Sequence, residues 1–228
     1  MSIYLVTYCP LNINQSGRKA MKKHNLPPYV DGGCRREPNL QSAFPSISAV
    51  CRAGKFAPRL KVGDTVVYIT FLDRGTDTWR MTAMLEVRER FKSHVDAAAW
   101  YRNQGLPLPS NCLVKNNDPL PLDHTHHRSD ACEMPVKPRG CQPTGVITLR
   151  EWDESYQERV RDYPMFLRCE ALYPVDLYNP PILTREDINR IFGKMPSTRN
   201  PRNGGNVSSV QLEALKRVFV RQITRKTA

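Results

Sequence analysis

The chain has 228 residues, enough for one well-buried domain with an appendage or for two small ones. Its 34 lysines and arginines against 22 carboxylates give a formal net charge of +12, spread along the chain without a single basic block. That pattern points to a folded basic face and a polyanionic partner, and excludes a basic tail as the source of the charge.

The first apolar run, residues 3–8, is rich in β-branched and aromatic residues and predicts a buried strand. It is too short for a signal peptide or a membrane span, and no other stretch approaches that length, so a cytoplasmic location without a membrane partner is expected. The cysteines at 9, 34, 51, 112, 132, 141 and 169 have scattered spacings and are expected to be mostly reduced thiols. Residues 10–45 hold Pro27-Pro28, Gly32-Gly33, Pro38 and Pro45 with the basic pairs Arg18-Lys19, Lys22-Lys23 and Arg35-Arg36. They predict a long loop with a short helix over 18–23, and a loop of that length in a compact domain is commonly functional. Residues 46–52 predict a short helix from the spacing of Ile47, Val50 and Cys51.

Val62-Gly63-Asp64 predicts a turn into a strand over 65–72, and the turn cluster 73–77 leads to a return strand over 78–88. On the return strand Trp79, Met81, Ala83, Leu85 and Val87 alternate with Arg80, Thr82, Met84, Glu86 and Arg88, which predicts two distinct faces. Ser93 with Asp96 predicts the start of a helix that carries Val95, Ala98 and Ala99, with Trp100 and Tyr101 as further candidates, and ends at Gly105 and Pro107. Residues 105–145 read as proline-rich loop, 145–149 as a weak strand, 151–162 as a charged helix and 165–173 as another strand. Thr184 with Asp187 opens a helix whose Ile188, Ile191 and Phe192 share a face. A polar basic linker follows over 196–206. Ser208 with Gln211 opens the last helix, whose buried stripe is predicted as Val210, Ala214, Leu215, Val218 and Phe219. The fold class is therefore α+β, with a main domain over 1–180 and a helical C-terminal extension over 181–228 packed on it.

From Ala49 to Thr70 the sequence (AVCRAGKFAPRLKVGDTVVYIT) resembles PUA-like domains, in particular the EVE and YTH branch and the nucleotide-modification-associated families. The resemblance also takes in the opening strand Tyr4-Leu5-Val6-Thr7-Tyr8, the return strand from Trp79 and the helix from Val95, and so covers about the first hundred residues. Two departures stand out: the loop over 10–45 is longer than in a minimal EVE-type domain, and Cys9-Pro10 replaces Lys-Ser-Glu-Pro after the first strand. The resemblance implies a small barrel flanked by short helices, whose pocket admits one flipped base from DNA or RNA and holds it by stacking and by hydrogen bonds to its polar edge. The pocket positions it implies are Tyr8, Ser48, Cys51, Arg52, Tyr68, Thr70, Phe71 and Trp79. Trp79 reads as well as a core residue from its place on the apolar face of its strand. Phosphate contacts are expected from Arg35, Arg36, Arg52, Lys55, Arg59 and Lys61, and from Lys216, Arg217, Arg221, Arg225 and Lys226 on the last helix, where a solvated face is an equal reading.

A competing cluster lies at His124, His126, His127, Asp130 and Cys132, with Cys112 before it and Cys141 after. His and Cys are zinc ligands, yet no Cys-x-x-Cys pair and no His-Glu-x-x-His helix accompanies them. The alternative function is thus a metal-dependent enzyme acting on nucleotides or nucleic acid through residues 124–130, and an adaptor for a protein partner is a third. No phosphate loop, dinucleotide fingerprint or nucleophile elbow is present. Cys34 beside Arg35 and Arg36 has the setting of a lowered thiol pKa, and a flexible turn is the competing role for that segment. The leading expectation is a non-catalytic nucleic-acid-binding module with no cofactor.

Overall fold

The computed structural model describes residues 1–13, 15–50, 56–73, 75–120, 149–199, 201 and 203–227. Its strands are β1 (Ile3–Tyr8), β2 (Ser46–Ser48), β3 (Thr65–Thr70), β4 (Thr78–Phe91), β5 (Phe166–Ala171) and β6 (Ile182–Thr184). Its helices are α1 (Gln15–His24), α2 (His94–Asn103), α3 (Leu149–Asp162), α4 (Arg185–Phe192) and α5 (Ser209–Thr227). The strands form one mixed sheet in the order β1-β3-β4-β5-β2, with β6 pairing the start of β4, and the sheet curls into a half-barrel. The fold is α+β. No helix among the described residues is long and apolar enough to cross a membrane.

β1 and β3 are parallel in direct register, and β3, β4 and β5 run antiparallel. The turn into β3 rests on Gly63 at φ +87°, a conformation that favours glycine, and on Asp64, whose carboxylate accepts from the Ser2 and Lys61 amides at 2.7 and 3.0 Å. Alternation along the strands separates two cores. Tyr4, Val6, Tyr8, Val66, Tyr68, Leu85, Val87, Leu167 and Cys169 fill the concave side. Ile3, Leu5, Val67, Ile69 and Met84 face outward, where Leu212, Leu215, Val218 and Phe219 of α5 cover them.

The even alternation predicted along β4 does not hold. Tyr68 opposes Ala83 and Ile69 opposes Met81, so Thr82 is the extra residue of a bulge, and its hydroxyl donates to the Tyr68 carbonyl at 3.3 Å. Trp79 and Met81 therefore join the outer core, whereas Ala83, Leu85 and Val87 join the inner one. Residues 46–52 are likewise corrected. Ser46–Ser48 is a strand paired with β5, because tertiary pairing overrides a spacing that suits either element in so short a run. Two helical faces are also partly rotated from expectation: Val95, Ala99 and Val210 are exposed and His94, Ala97 and Leu212 are buried, while Ala98 and Tyr101 of α2 are buried as expected. The helix starts themselves are as expected, with the Ser93–Asp96 cap, the Thr184–Asp187 capping box and reciprocal Ser208–Gln211 bonds.

The predicted linker over 196–206 is a strap on the open edge of β1. Thr198 meets Thr7, the Asn206 side-chain amide bonds both the N–H and the C=O of Leu5 (2.7 and 3.1 Å), and Val207 bridges Ile3. An uncovered edge strand invites pairing with other chains, and this segment blocks it. With β6 in the sheet and α5 on its outer core, residues 181–228 share a core with the strands before them. Cys9 is disulfide-bonded, and Cys34, Cys112 and Cys169 are buried free thiols.

Candidate functional site

Because β1 and β3 are parallel, their last residues, Tyr8 and Thr70, lie at one end of the sheet. The Phe71 amide donates to the Tyr8 carbonyl at 3.1 Å, and the Arg80 amide donates to the Thr70 hydroxyl at 3.0 Å. Leu11 and Asn12 donate to Val30 and Pro28 at 2.9 and 3.1 Å, which stitches the approach to α1 onto the segment leading to Asp31. Tyr8 is buried edge-on against Tyr68, with ring centroids 6.1 Å apart, and its hydroxyl donates to the Tyr29 carbonyl. Burial pushes its phenol well above the ordinary range.

Asp31 organises the polar interior below this end. Its carboxylate accepts from the Gly33 and Glu37 amides at 2.8 and 3.1 Å, and its carbonyl accepts from Arg36 Nη1 at 3.2 Å. The chain turns back at Arg36, whose φ is +34°, and its amide bonds the Gly33 carbonyl. The Arg36 side chain is carried inside, with the residue 4% exposed, and the bond to Asp31 is its guanidinium's one hydrogen bond among the described residues. Burial lowers the Arg36 pKa, and Asp31 opposes the shift. Glu37 follows and is buried between β2 and the loop after α2. It accepts from the Ser48 amide at 3.0 Å, the Ser48 hydroxyl at 2.8 Å and Asn111 Nδ2 at 2.9 Å. These donors favour the carboxylate, yet burial outweighs them and raises the Glu37 pKa to about 8. Asn111 also accepts from the Ser46 hydroxyl at 2.8 Å, which binds β2 into the same network.

Arg35, next in the chain, points away from this group. It forms a buried ion pair with Asp153 of α3 and donates to the Asn117 carbonyl at 2.6 Å. Its fork is therefore committed within the fold, which corrects its expected role as a phosphate contact. Cys34 is no activated thiol: burial first, then Asp153, push it up to about 12 and outweigh Arg35. His94 lies on the same side. Its Nδ1 accepts from the Leu113 amide at 2.9 Å, its buried Nε2 has no partner among the described residues, and burial lowers its pKa to about 4.

Of the predicted pocket residues, Tyr8, Ser48 and Tyr68 reach the concave side with Asp31, Arg36 and Glu37. Thr70 and Phe71 sit at the strand end, where Arg199 lies over the Phe71 ring at 5.4 Å. Trp79 is on the opposite side of the sheet, in the outer core under Arg185, so the β4 bulge removes it from the pocket. Cys51, Arg52 and Lys55 lie outside the described residues. Arg36 is an interior cation rather than a surface one. Arg59 and Lys61 are exposed, with Arg59 donating to Pro201, but Lys61 stands at the start of β3, the far end from Phe71. On α5, Lys216 pairs with Glu213 at 2.7 Å and Arg221 lies 3.9 Å from Asp187, leaving Arg217 exposed, while the side chains of Arg225 and Lys226 are outside the description. Cys112 is a buried thiol donating to the His94 carbonyl at 3.4 Å, and His124, His126, His127, Asp130 and Cys132 lie outside the described residues. No group of metal-ligating side chains occurs among the described residues.

Sequence reasoning passed over Asp31, Glu37 and Asn111, whose convergence depends on contacts 11 to 74 residues apart. It also left α1 out of the cationic surface, although the pairs Arg18-Lys19 and Lys22-Lys23 were visible. α1 buries Ala20 and rests Met21 on the inner core, and it exposes Arg18, Lys19, Lys22 and Lys23. Beside it the Arg80 guanidinium lies over the Tyr29 ring at 5.5 Å. No family model, no curated protein and no solved structure matches this chain.

Proposed function

We propose that this chain is a PUA-like, non-catalytic nucleic-acid-binding module that takes one flipped base, modified or unmodified, at the Tyr8–Phe71 end of its half-barrel. The observation that carries the reading is Arg36. A guanidinium has five N–H donors, and this one, on a residue 4% exposed, makes a single hydrogen bond among the described residues. Its remaining edge is available to a ligand that offers acceptors. The partner that fits a planar fork is a pair of acceptors, such as the O6/N7 edge of guanine or two phosphate oxygens. Asp31 fixes the fork from behind, and Tyr8, Tyr29 and Phe71 supply aromatic surface of the kind that holds an unstacked base. The curled mixed sheet with its parallel first pair supports the PUA-like part of the reading.

The test is fluorescence anisotropy with labelled oligonucleotides, with and without modified bases, at low salt. Wild type binds, Arg36→Ala lowers affinity at least about tenfold, and Arg36→Lys restores little because an ammonium lacks the fork. Thermal melts of each variant check that the fold is retained. Wild-type protein that binds no oligonucleotide at low salt overturns the reading.

A further inference from the structure

We infer that the exposed face of α1 is the track for the sugar-phosphate backbone of a single-stranded nucleic acid whose base enters beside Arg36. The inference rests on the base-binding reading above. Four observations support it. Residues 1–30 contain no Asp or Glu, so α1 presents Arg18, Lys19, Lys22 and Lys23 in a stretch of chain without local carboxylates. Arg18, Lys19 and Lys22 repel one another at i,i+3 and i,i+4 spacing, and Arg18 sits in the first turn, where the helix dipole disfavours positive charge. A helix that keeps such repulsion gains most from a polyanion laid along it. Third, α1 is anchored beside the Asp31 group through the Leu11–Val30 and Asn12–Pro28 bonds, so a strand following its face passes the Tyr29–Arg80 pair at the end of the sheet. Fourth, the apolar side of α1, Ala20 and Met21, is turned into the inner core, which leaves no apolar face to enter a lipid surface.

A single strand is the better fit because a base taken from a duplex must first be unpaired and unstacked, at a cost of a few kcal/mol. On α5, by comparison, Lys216 and Arg221 already have carboxylate neighbours.

The experiment compares wild type, Lys19→Gln/Lys22→Gln, and a control with equal charge removed elsewhere on the surface, Lys92→Gln/Lys115→Gln. Affinity for a labelled single strand, its duplex and phosphatidylserine vesicles is measured from low to moderate salt. The single strand is expected to bind at least about tenfold more tightly than the duplex. The slope of log affinity against log salt is expected to shrink by about 1.4 in the α1 variant, about 0.7 for each lost phosphate contact, and to stay at the wild-type value in the control. An unchanged slope in the α1 variant, with wild type still binding and still sensitive to Arg36→Ala, overturns the α1 track and leaves the base-binding reading standing. Wild type that binds no oligonucleotide overturns both. Loss of vesicle binding in the α1 variant with unchanged oligonucleotide binding assigns the face to a membrane and also overturns the inference.

Discussion

Glu37 and His94 are buried in one fold with their pKa values displaced to favour the neutral form, and their effects on stability run in opposite directions. Glu37 is raised from 4.5 to about 8, so the folded chain keeps a proton that the unfolded chain releases, and Glu37's contribution falls as pH rises from about 4.5 to about 8. His94 is lowered from 6.5 to about 4, so the unfolded chain takes up a proton that the folded chain refuses, and stability is lost as pH falls from about 6.5 towards 4. The two slopes oppose below 6.5, and of these two groups only Glu37 acts from there to about 8. Urea denaturation between these upper limits is expected to show stability declining by up to about 1.4 kcal/mol per pH unit, the slope of one proton. Glu37→Gln is expected to flatten that decline whatever its effect on absolute stability. A wild-type profile that is already flat there would remove Glu37 as a titrating group. Arg36 belongs to this scale too, since a positive φ and a buried guanidinium with one hydrogen bond among the described residues meet at one residue.

Among the elements, the strap over β1 has the sharpest structural requirement. Gly205 adopts φ +90°, and a Cβ there would stand 2.2 Å from the Ile3 carbonyl oxygen. Gly204, at φ +84°, has open space around the same position. Both alanine variants are strained by the positive φ, at about 1 kcal/mol, but only Gly205→Ala must also push the strap off β1. Gly205→Ala is expected to cost about 2–4 kcal/mol in urea denaturation and Gly204→Ala about 1. Equal losses would mean that the strap yields without resistance. The β4 bulge is the second decisive element. One extra residue, Thr82, moves Trp79 and Met81 to the outer core and leaves Ala83 to pack beside Tyr68 in the inner one. A period-two pattern read from sequence does not register such an insertion, because the apolar residues stay two apart along the chain whether or not one residue between them is extra.

For the whole molecule, the C-terminal elements are part of the main body. β6 pairs with β4, and Phe219 of α5 packs in the core that holds Leu5, Val67 and Ile69. Unfolding is therefore expected as one transition, and Phe219→Ala is expected to shift the whole of it by about 3–5 kcal/mol. A separate early transition would show that residues 181–228 unfold independently of the sheet. Charge is organised on the same scale. The +12 excess alone indicates a polyanion, but only packing shows that Arg35 is spent on Asp153, that Arg36 is inside, and that α1 carries exposed cations.

How much was legible follows from the range of the interactions concerned. β1, β3, β4, α2, α4 and the start of α5 were readable because a strand pattern, a Gly-Asp turn or a capping box is written within a few residues. Thr70 and Phe71 were singled out only through the family resemblance, and the strand ends at Thr70 rather than at residue 72. β2 was not readable, since three residues become a strand only through pairing with β5 and the Ser48–Glu37 bonds. Nor was the group around Asp31, whose members come from a turn, a short strand and the loop after α2. By itself the sequence determined the α+β class, the basic character and most element boundaries, all of which depend on local backbone chemistry and composition. Tertiary structure alone decided which side of the sheet Trp79 faces, which of two adjacent arginines forms the ion pair with Asp153, and that a polar linker is an edge strap. Those outcomes depend on desolvation and on contacts between distant residues, which no local pattern records.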